Sequence, residues 1–303
     1  MPVILPKGLP VAATLSAEGV PVADHCPAGV RPLHILLLNL MPLKERTELD
    51  FARMMAQSDR WVRLTLMKFS GQTYRHTPQE HMDRYYEDFE TLAADGLSAD
   101  GLIVTGAPVE QMAFEAVHYW PQLCEAMDWA RRHVRSTLYI CWGAQAALYH
   151  FYGVPKYPLP EKRFGIYPQE PAAEAGPLLA SLAPGFPMPH SRHTEVRQAD
   201  IDRHAALRTV VRGAGSGVGI VVTAGYREVF VTGHLEYAPD TLHTEYVRDV
   251  GQGKPIQPPL NYYVNNDPAA GVDYSWRDSA RTFYRNWLAV CASRPESGVS
   301  DRG

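Results

Sequence analysis

Along the chain, continuous apolar runs with polar flanks alternate with segments whose apolar residues recur at helical spacing. The first run, Ile35-Leu-Leu-Leu38 within residues 34–40, has no polar position inside it. An uninterrupted run of that length marks a strand buried on both faces, as in a parallel sheet. Leu49, Phe51, Met54 and Met55 then predict a helix over 45–58. A second strand is expected over 61–67. Thr77-Pro-Gln-Glu80 predicts a helix start, with Thr77 as N-cap, Pro78 at the first helical position and Glu80 closing a capping box. A third strand, 101–105, runs into Gly106-Ala107-Pro108, and a helix follows over 121–133. A fourth strand, 137–140, ends on Cys141, and a helix over 144–152 follows at once. Strands alternating with helices predict an α/β fold, a doubly wound and mainly parallel sheet flanked by helices.

The remainder is less regular. Residues 1–32 predict an arm packed on the domain, and 294–303 a disordered tail. Residues 153–195 are proline-rich and predict an irregular segment over the surface near the strand ends. Apolar stretches at 219–223 and 229–232 predict two more strands. Asp240 predicts the N-cap of a helix through Arg248, and Ser275 with Asp278 the capping box of a last helix to residue 292. No repeat or linker divides the chain, so all 303 residues are expected to form a single domain.

Charge and cysteine content narrow the function. The net charge is −4 and the basic residues form no blocks, so nothing points to nucleic acid or an anionic membrane. Prolines break the apolar N-terminus, and no run approaches the ~18 residues of a membrane span. The four cysteines, Cys26, Cys124, Cys141 and Cys291, lie far apart, which predicts reduced thiols in a cytoplasmic protein.

Of the four, Cys141 alone stands between a strand and a helix. Ligands of α/β sheets gather at the carboxyl ends of the strands. Tyr139-Ile-Cys-Trp-Gly-Ala-Gln145 has the layout of a nucleophile elbow, in which Gly143 permits the tight turn and Ala144 close helix packing. The helix N-terminus behind the sulfur favours the thiolate. Trp142 N–H and the Gly106-Ala107 turn are the candidate oxyanion donors. His234 and Glu236 follow an apolar strand at i and i+2 and face one side of it. They are the candidate base and its orienting acid. His190 and His193 have a metal-like spacing but lack a third ligand, so no metal is assigned.

Ile140-Cys-Trp-Gly-Ala-Gln-Ala146 together with Gly233-His-Leu-Glu-Tyr237 resembles the Cys-His-Glu layout of class I glutamine amidotransferases. More specifically, the chain resembles the amidotransferase-like branch of the homoserine O-acyltransferases of methionine biosynthesis. The resemblance spans nearly the whole chain and includes Leu38-Asn-Leu-Met-Pro42, Asp100-Gly-Leu-Ile-Val-Thr-Gly-Ala-Pro108, Lys162-Arg-Phe-Gly165, Pro189-His-Ser-Arg192 and Thr244-Glu-Tyr-Val-Arg-Asp249. It implies a flavodoxin-like sheet, an acyl-cysteine at Cys141, His234 as proton acceptor and Glu236 as its partner. It implies substrate contacts at Lys162, Ser191 and Arg248, with Lys162 and Ser191 bonding to the bound substrate or the acyl group, acyl-CoA near Lys44, and a homodimer. Arg248 suits the carboxylate of homoserine as a bidentate fork.

The position of Glu110 tracks the donor in this family, glycine with succinyl-CoA and glutamate with acetyl-CoA. A glutamate there fills the pocket and repels the free carboxylate of a succinyl group. The expected donor is therefore acetyl-CoA, a co-substrate with no resident cofactor. Succinyl-CoA is the alternative donor, and serine, one methylene shorter, the alternative acceptor. Readings from other classes are a glutamine amidotransferase-like hydrolase on the same scaffold and a non-catalytic sensor with a reactive cysteine.

Overall fold

Alternation along the third strand shows how the sheet is built. Ile35 and Leu37 point into one apolar layer and Leu36 and Leu38 into the other, all fully buried. The computed structural model describes residues 1–173 and 176–293. In chain order the elements begin with β1 (Val3–Ile4), α1 (Val11–Ala17), β2 (Val22–Ala23), β3 (Leu33–Leu38), α2 (Lys44–Met55), β4 (Val62–Lys68), α3 (Gln79–Tyr85), β5 (Tyr86–Asp88), α4 (Phe89–Ala94) and β6 (Ala99–Val104). They continue with α5 (Trp120–His133), β7 (Val134–Ile140), α6 (Trp142–Tyr152), β8 (Tyr157–Pro171), β9 (Phe186–Glu195), α7 (Gln198–Ile201), β10 (Arg208–Gly213), β11 (Gly217–Val222), β12 (Glu228–Val231), α8 (Thr241–Gly251) and α9 (Arg277–Ala292).

The strands lie in the order β2-β1-β4-β3-β6-β7-β12-β11-β10-β8-β9, with β5 also on β4. From β2 to β12 every pairing is parallel, and from β12 to β9 every pairing is antiparallel. Helices α2 and α9 cover one face with the layer that contains Ile35 and Leu37. Helices α5 and α6 cover the other. The expected α/β architecture is thus present, and an antiparallel extension completes it. No helix among the described residues is long and apolar enough to cross a membrane.

Helix α9 packs tightly on the sheet at Gly101 of β6. A methyl group there would lie 2.8 Å from Ile35 Cδ1, 2.9 Å from Cys291 Sγ and 3.0 Å from the Trp287 ring. Gly101→Ala is therefore expected to destabilise the fold by about 2 kcal/mol through overpacking. Urea unfolding should show it as a lower midpoint with an unchanged slope.

Three local expectations are corrected. Residues 153–195 do not form an irregular surface segment. They supply β8 and β9, a long antiparallel pair. Proline favours extended backbone and only forbids donation, so it is tolerated where the N–H is not needed by the partner strand. The pairs Pro168↔Pro187 and Ile166↔Pro189 sit two residues apart and share that character. The Ile166 N–H turns outward to the Leu260 carbonyl at 2.7 Å. Second, the arm does more than pack over the domain. Val3 pairs with Val62 of β4 and Val22 of β2, extending the sheet, while Leu15 of α1 is fully buried. The tail read at 294–303 lies outside the described residues.

Third, no predicted side-chain cap forms. Pro78, Asp240 and Trp276 occupy the N-cap positions of α3, α8 and α9 without capping bonds. The Thr77 hydroxyl instead joins the β3–α2 loop, donating to the Pro42 carbonyl at 3.3 Å and accepting from the Lys44 amide at 3.5 Å. The Asp240 carboxylate is engaged by Arg46, at 3.1 Å for one of two contacts.

Candidate active site

Strand β7 ends at Ile140 and α6 begins at Trp142, so Cys141 alone makes the turn. It does so at φ 50° and ψ −113°, a left-handed conformation that a side chain rarely adopts. The turn is held from both sides. The Cys141 amide donates to the Val231 carbonyl at 2.7 Å, and its own carbonyl accepts from the Gln145 amide at 3.1 Å. Two residues on, a Cβ on Gly143 would lie 2.6 Å from the Thr105 carbonyl oxygen and 3.0 Å from that of Val104. Only glycine lets the first turn of α6 press against the end of β6 this closely.

Strand β12 runs parallel to β7 with Val231 opposite Ile140, so the chain leaving β12 arrives at the same edge. Gly233 passes against Pro189, where a Cβ would come within 2.7 Å of the carbonyl oxygen. The His234 amide donates to that carbonyl at 2.8 Å. The His234 ring then lies flat on Tyr237, centroids 4.1 Å apart and planes at 12°. Its Nδ1 meets Glu236 Oε1 at 2.7 Å, which leaves Nε2 for another partner. Gly106 stands where thiol and imidazole converge. A Cβ there would be 3.4 Å from Cys141 Cβ and 3.7 Å from His234 Cε1. Cys141, His234 and Glu236 are all buried.

Burial opposes a charged imidazole, but here it is outweighed. The Cys141 sulfur and the Glu236 carboxylate hold the His234 pKa well above its ordinary value. A buried acid, base and thiol in this order can support a thiolate–imidazolium pair. Among the described residues, the Trp142, Gly106 and Ala107 amides donate to no acceptor in the chain, as oxyanion donors must.

The three expected substrate contacts come together from separate elements, Lys162 on β8, Ser191 on β9 and Arg248 on α8. They converge on Glu245, which sequence reasoning did not single out. Its carboxylate accepts from Lys162 Nζ at 2.6 Å and from Ser191 Oγ at 2.9 Å, and it lies 3.6 Å from Arg248 Nη2. The clue was its place within Thr244-Glu-Tyr-Val-Arg-Asp249, three residues before Arg248 on one helix face. Asp249 adds a second carboxylate, 2.8 Å from Arg248 Nη2 and 3.4 Å from Lys162 Nζ. Glu245 also acts on Tyr237, the ring stacked on His234. Burial raises the Tyr237 phenol well above its ordinary pKa, and Glu245 adds most to that effect.

Glu110 is not a freely solvated acid. Its Oε2 accepts from the His193 amide of β9 at 2.9 Å and from Thr194 Oγ1 at 3.5 Å, and Thr194 Oγ1 in turn meets Gln145 Oε1 at 2.8 Å. The carboxylate is thereby fixed to the strand that carries Ser191 and to the first turn behind Cys141. His190, by contrast, is fully buried beside Arg192, with Nδ1 3.4 Å from Arg192 Nε. Burial first, and that cation second, keep it neutral. Lys44 is buried on the wall of a neighbouring cleft. Its ammonium donates to the Asn39 carbonyl, and burial pushes its pKa down to about 8 against the pull of Glu48.

Comparison with known proteins identifies the fold and the family. Among solved structures, a glutamine amidotransferase from Thermotoga maritima superposes with a TM-score of 0.55 at 14% identity, covering 87% of this chain and all of its own. One from Methylobacillus flagellatus gives 0.54 at 12%, covering 90% and 100%. These show a shared class I glutamine amidotransferase-like fold. Curated relatives are much nearer in sequence. A homoserine O-acetyltransferase of Parabacteroides distasonis is 48% identical over 95% of this chain and 93% of its own length. One from Desulfitobacterium hafniense is 44% identical over 95% and 94%. The family model described as homoserine O-succinyltransferase matches residues 2–296. With a match of that extent, the chain belongs to the homoserine O-succinyltransferase family.

Proposed function

We propose that the chain transfers the acetyl group of acetyl-CoA to the hydroxyl of L-homoserine through an acyl-cysteine at Cys141. The observation that carries this reading is the buried Cys141–His234–Glu236 constellation beside the Lys162–Ser191–Arg248–Glu245 cluster. The Cys141 thiolate attacks the acetyl carbonyl, and the Trp142, Gly106 and Ala107 amides receive the oxyanion. The C–S bond to CoA breaks, and the CoA sulfur takes the proton from His234. Homoserine then binds with its carboxylate on Arg248 and its ammonium toward Glu245. His234 accepts the proton of the hydroxyl, whose oxygen attacks the acyl-cysteine and frees the thiolate. The products are CoA and O-acetyl-L-homoserine, and the kinetics are ping-pong. The reaction belongs to methionine biosynthesis in the cytoplasm, and the working unit in this reading is a homodimer.

Acetyl-CoA as donor rests on Glu110. Its carboxylate, borne on the segment after β6, is anchored to β9, and in this reading it opposes a second carboxylate in the acyl pocket. The relatives named above as acetyltransferases accord with this choice, whereas the family description names the succinyl reaction. Glu110→Gly is expected to raise kcat/KM for succinyl-CoA relative to acetyl-CoA by about 10- to 100-fold, as removal of one repulsive charge allows. Initial rates with both donors at saturating homoserine test it. An unchanged ratio removes Glu110 from donor choice, and a wild-type preference for succinyl-CoA reverses the assignment.

A further inference from the structure

Beyond the triad lies a cleft of about 380 Å³ at the carboxyl end of the sheet. Its walls come from the segments that follow β3, β4 and β6. Strand β3 stands between β4 and β6, and the chain moves from β3 to β4 on one side before returning to β6 on the other. The connections therefore diverge above β3, which is the switch point where open α/β sheets bind ligands.

The composition of the cleft is one-sided. Lys44, Lys68, Arg75, His76 and His118 line it, and no aspartate or glutamate does, in a chain whose net charge is −4. Lys68 is neutralised from behind by Asp83 at 3.0 Å and Asp88 at 3.8 Å. Arg75 and His76 are exposed, and among the described residues neither forms an ion pair. Apolar and aromatic groups complete the walls, among them Phe69, Tyr74 and Tyr119.

The cleft also touches the nucleophile's turn. The Tyr119 ring meets Trp142, the residue after Cys141, edge-to-face at 6.2 Å. Pro108 and Val109 on the wall follow within three residues of Gly106, which packs beside Cys141 Cβ. An occupant of the cleft thus has an anionic part for the cations, an apolar part for the aromatics, and one end directed at Cys141.

We infer that this cleft binds the phosphate-bearing nucleotide of the CoA donor, with Arg75 and His76 facing its phosphates and the Phe69–Tyr119 wall guiding the acyl arm to Cys141. This rests on the acyl-CoA reading above. It gives Arg75, His76 and Tyr119 roles in donor binding beside Lys44. Charged hydrogen bonds from a guanidinium to phosphate are among the strong ones, so inverting the charge should be felt in donor affinity.

The test is Arg75→Glu in the full chain, with acetyl-CoA and homoserine varied separately. KM for acetyl-CoA should rise at least about tenfold while KM for homoserine stays within twofold. Adenosine 3′,5′-bisphosphate, which has the phosphates but no acyl arm, should compete with acetyl-CoA in the wild type, with a Ki raised by a similar factor in the variant. Arg75→Lys should recover most of the loss. An unchanged KM for acetyl-CoA, or equal rises for both substrates, overturns the assignment. Failure of the acyl-CoA reading itself looks different, since the wild type would then gain no acetyl group from acetyl-CoA.

Discussion

Replacing Cys141 by alanine is expected to lower kcat/KM by about 10⁴-fold or more, with no acyl-enzyme left to detect. The size follows from the site. The sulfur sits at the only residue between β7 and α6, in a strained conformation, and the candidate oxyanion amides of the adjoining turns donate to no acceptor among the described residues. Without it, homoserine would have to attack acetyl-CoA directly, in one step, from a pocket shaped for two. The residual rate would reflect binding and oxyanion stabilisation alone. The variant should fold normally, because alanine tolerates the buried position and removes only the sulfur. Steady-state assays with a circular-dichroism control would check it, and activity within tenfold of wild type would remove Cys141 from the chemistry.

Glu236→Gln carries the next largest effect, an expected loss of about 10³-fold in kcat/KM. The amide keeps the shape and one hydrogen bond to Nδ1 but loses the charge that stabilises the imidazolium. The pH profile should separate this from a packing defect. In the wild type, Cys141 and Glu236 together hold the His234 pKa well above its ordinary value, in spite of burial. His234 must be protonated to release CoA, so the rate of acetylation falls as pH rises through that pKa. Removing the carboxylate lowers the pKa, so this alkaline fall should begin at lower pH in the variant. A lower rate with an unmoved alkaline limb would make Glu236 a packing residue only.

Much of this site is legible in the sequence because a strand that ends in Cys-x-Gly-Ala predicts both an element boundary and a reactive group. The same holds for Gly233-His-Leu-Glu236 after an apolar strand. Parallel strands are buried on both faces and therefore announce themselves as continuous runs, as with Ile35-Leu-Leu-Leu38. Strands β8 and β9 were not legible, because their prolines look like loop signals. Whether a missing N–H matters depends on which pleat position the proline takes, and pairing sets that. The caps failed for a related reason. Thr77 and Asp240 had tertiary partners in the β3–α2 loop and Arg46, and those partners took up the side chains. Glu245 was hidden because one acid in a helix of mixed charges acquires its meaning only when β8 and β9 deliver Lys162 and Ser191 to it. The donor cleft was out of reach for the same reason, being built from three separate loops.

In the proposed mechanism acetyl-CoA loads Cys141 and homoserine unloads it. The mass of the intact protein, recorded after mixing with acetyl-CoA alone, tests this most directly. The protein should gain one acetyl group per chain, absent in Cys141→Ala and discharged on addition of L-homoserine. An unmodified wild-type protein that nevertheless produces O-acetylhomoserine under the same conditions would contradict it.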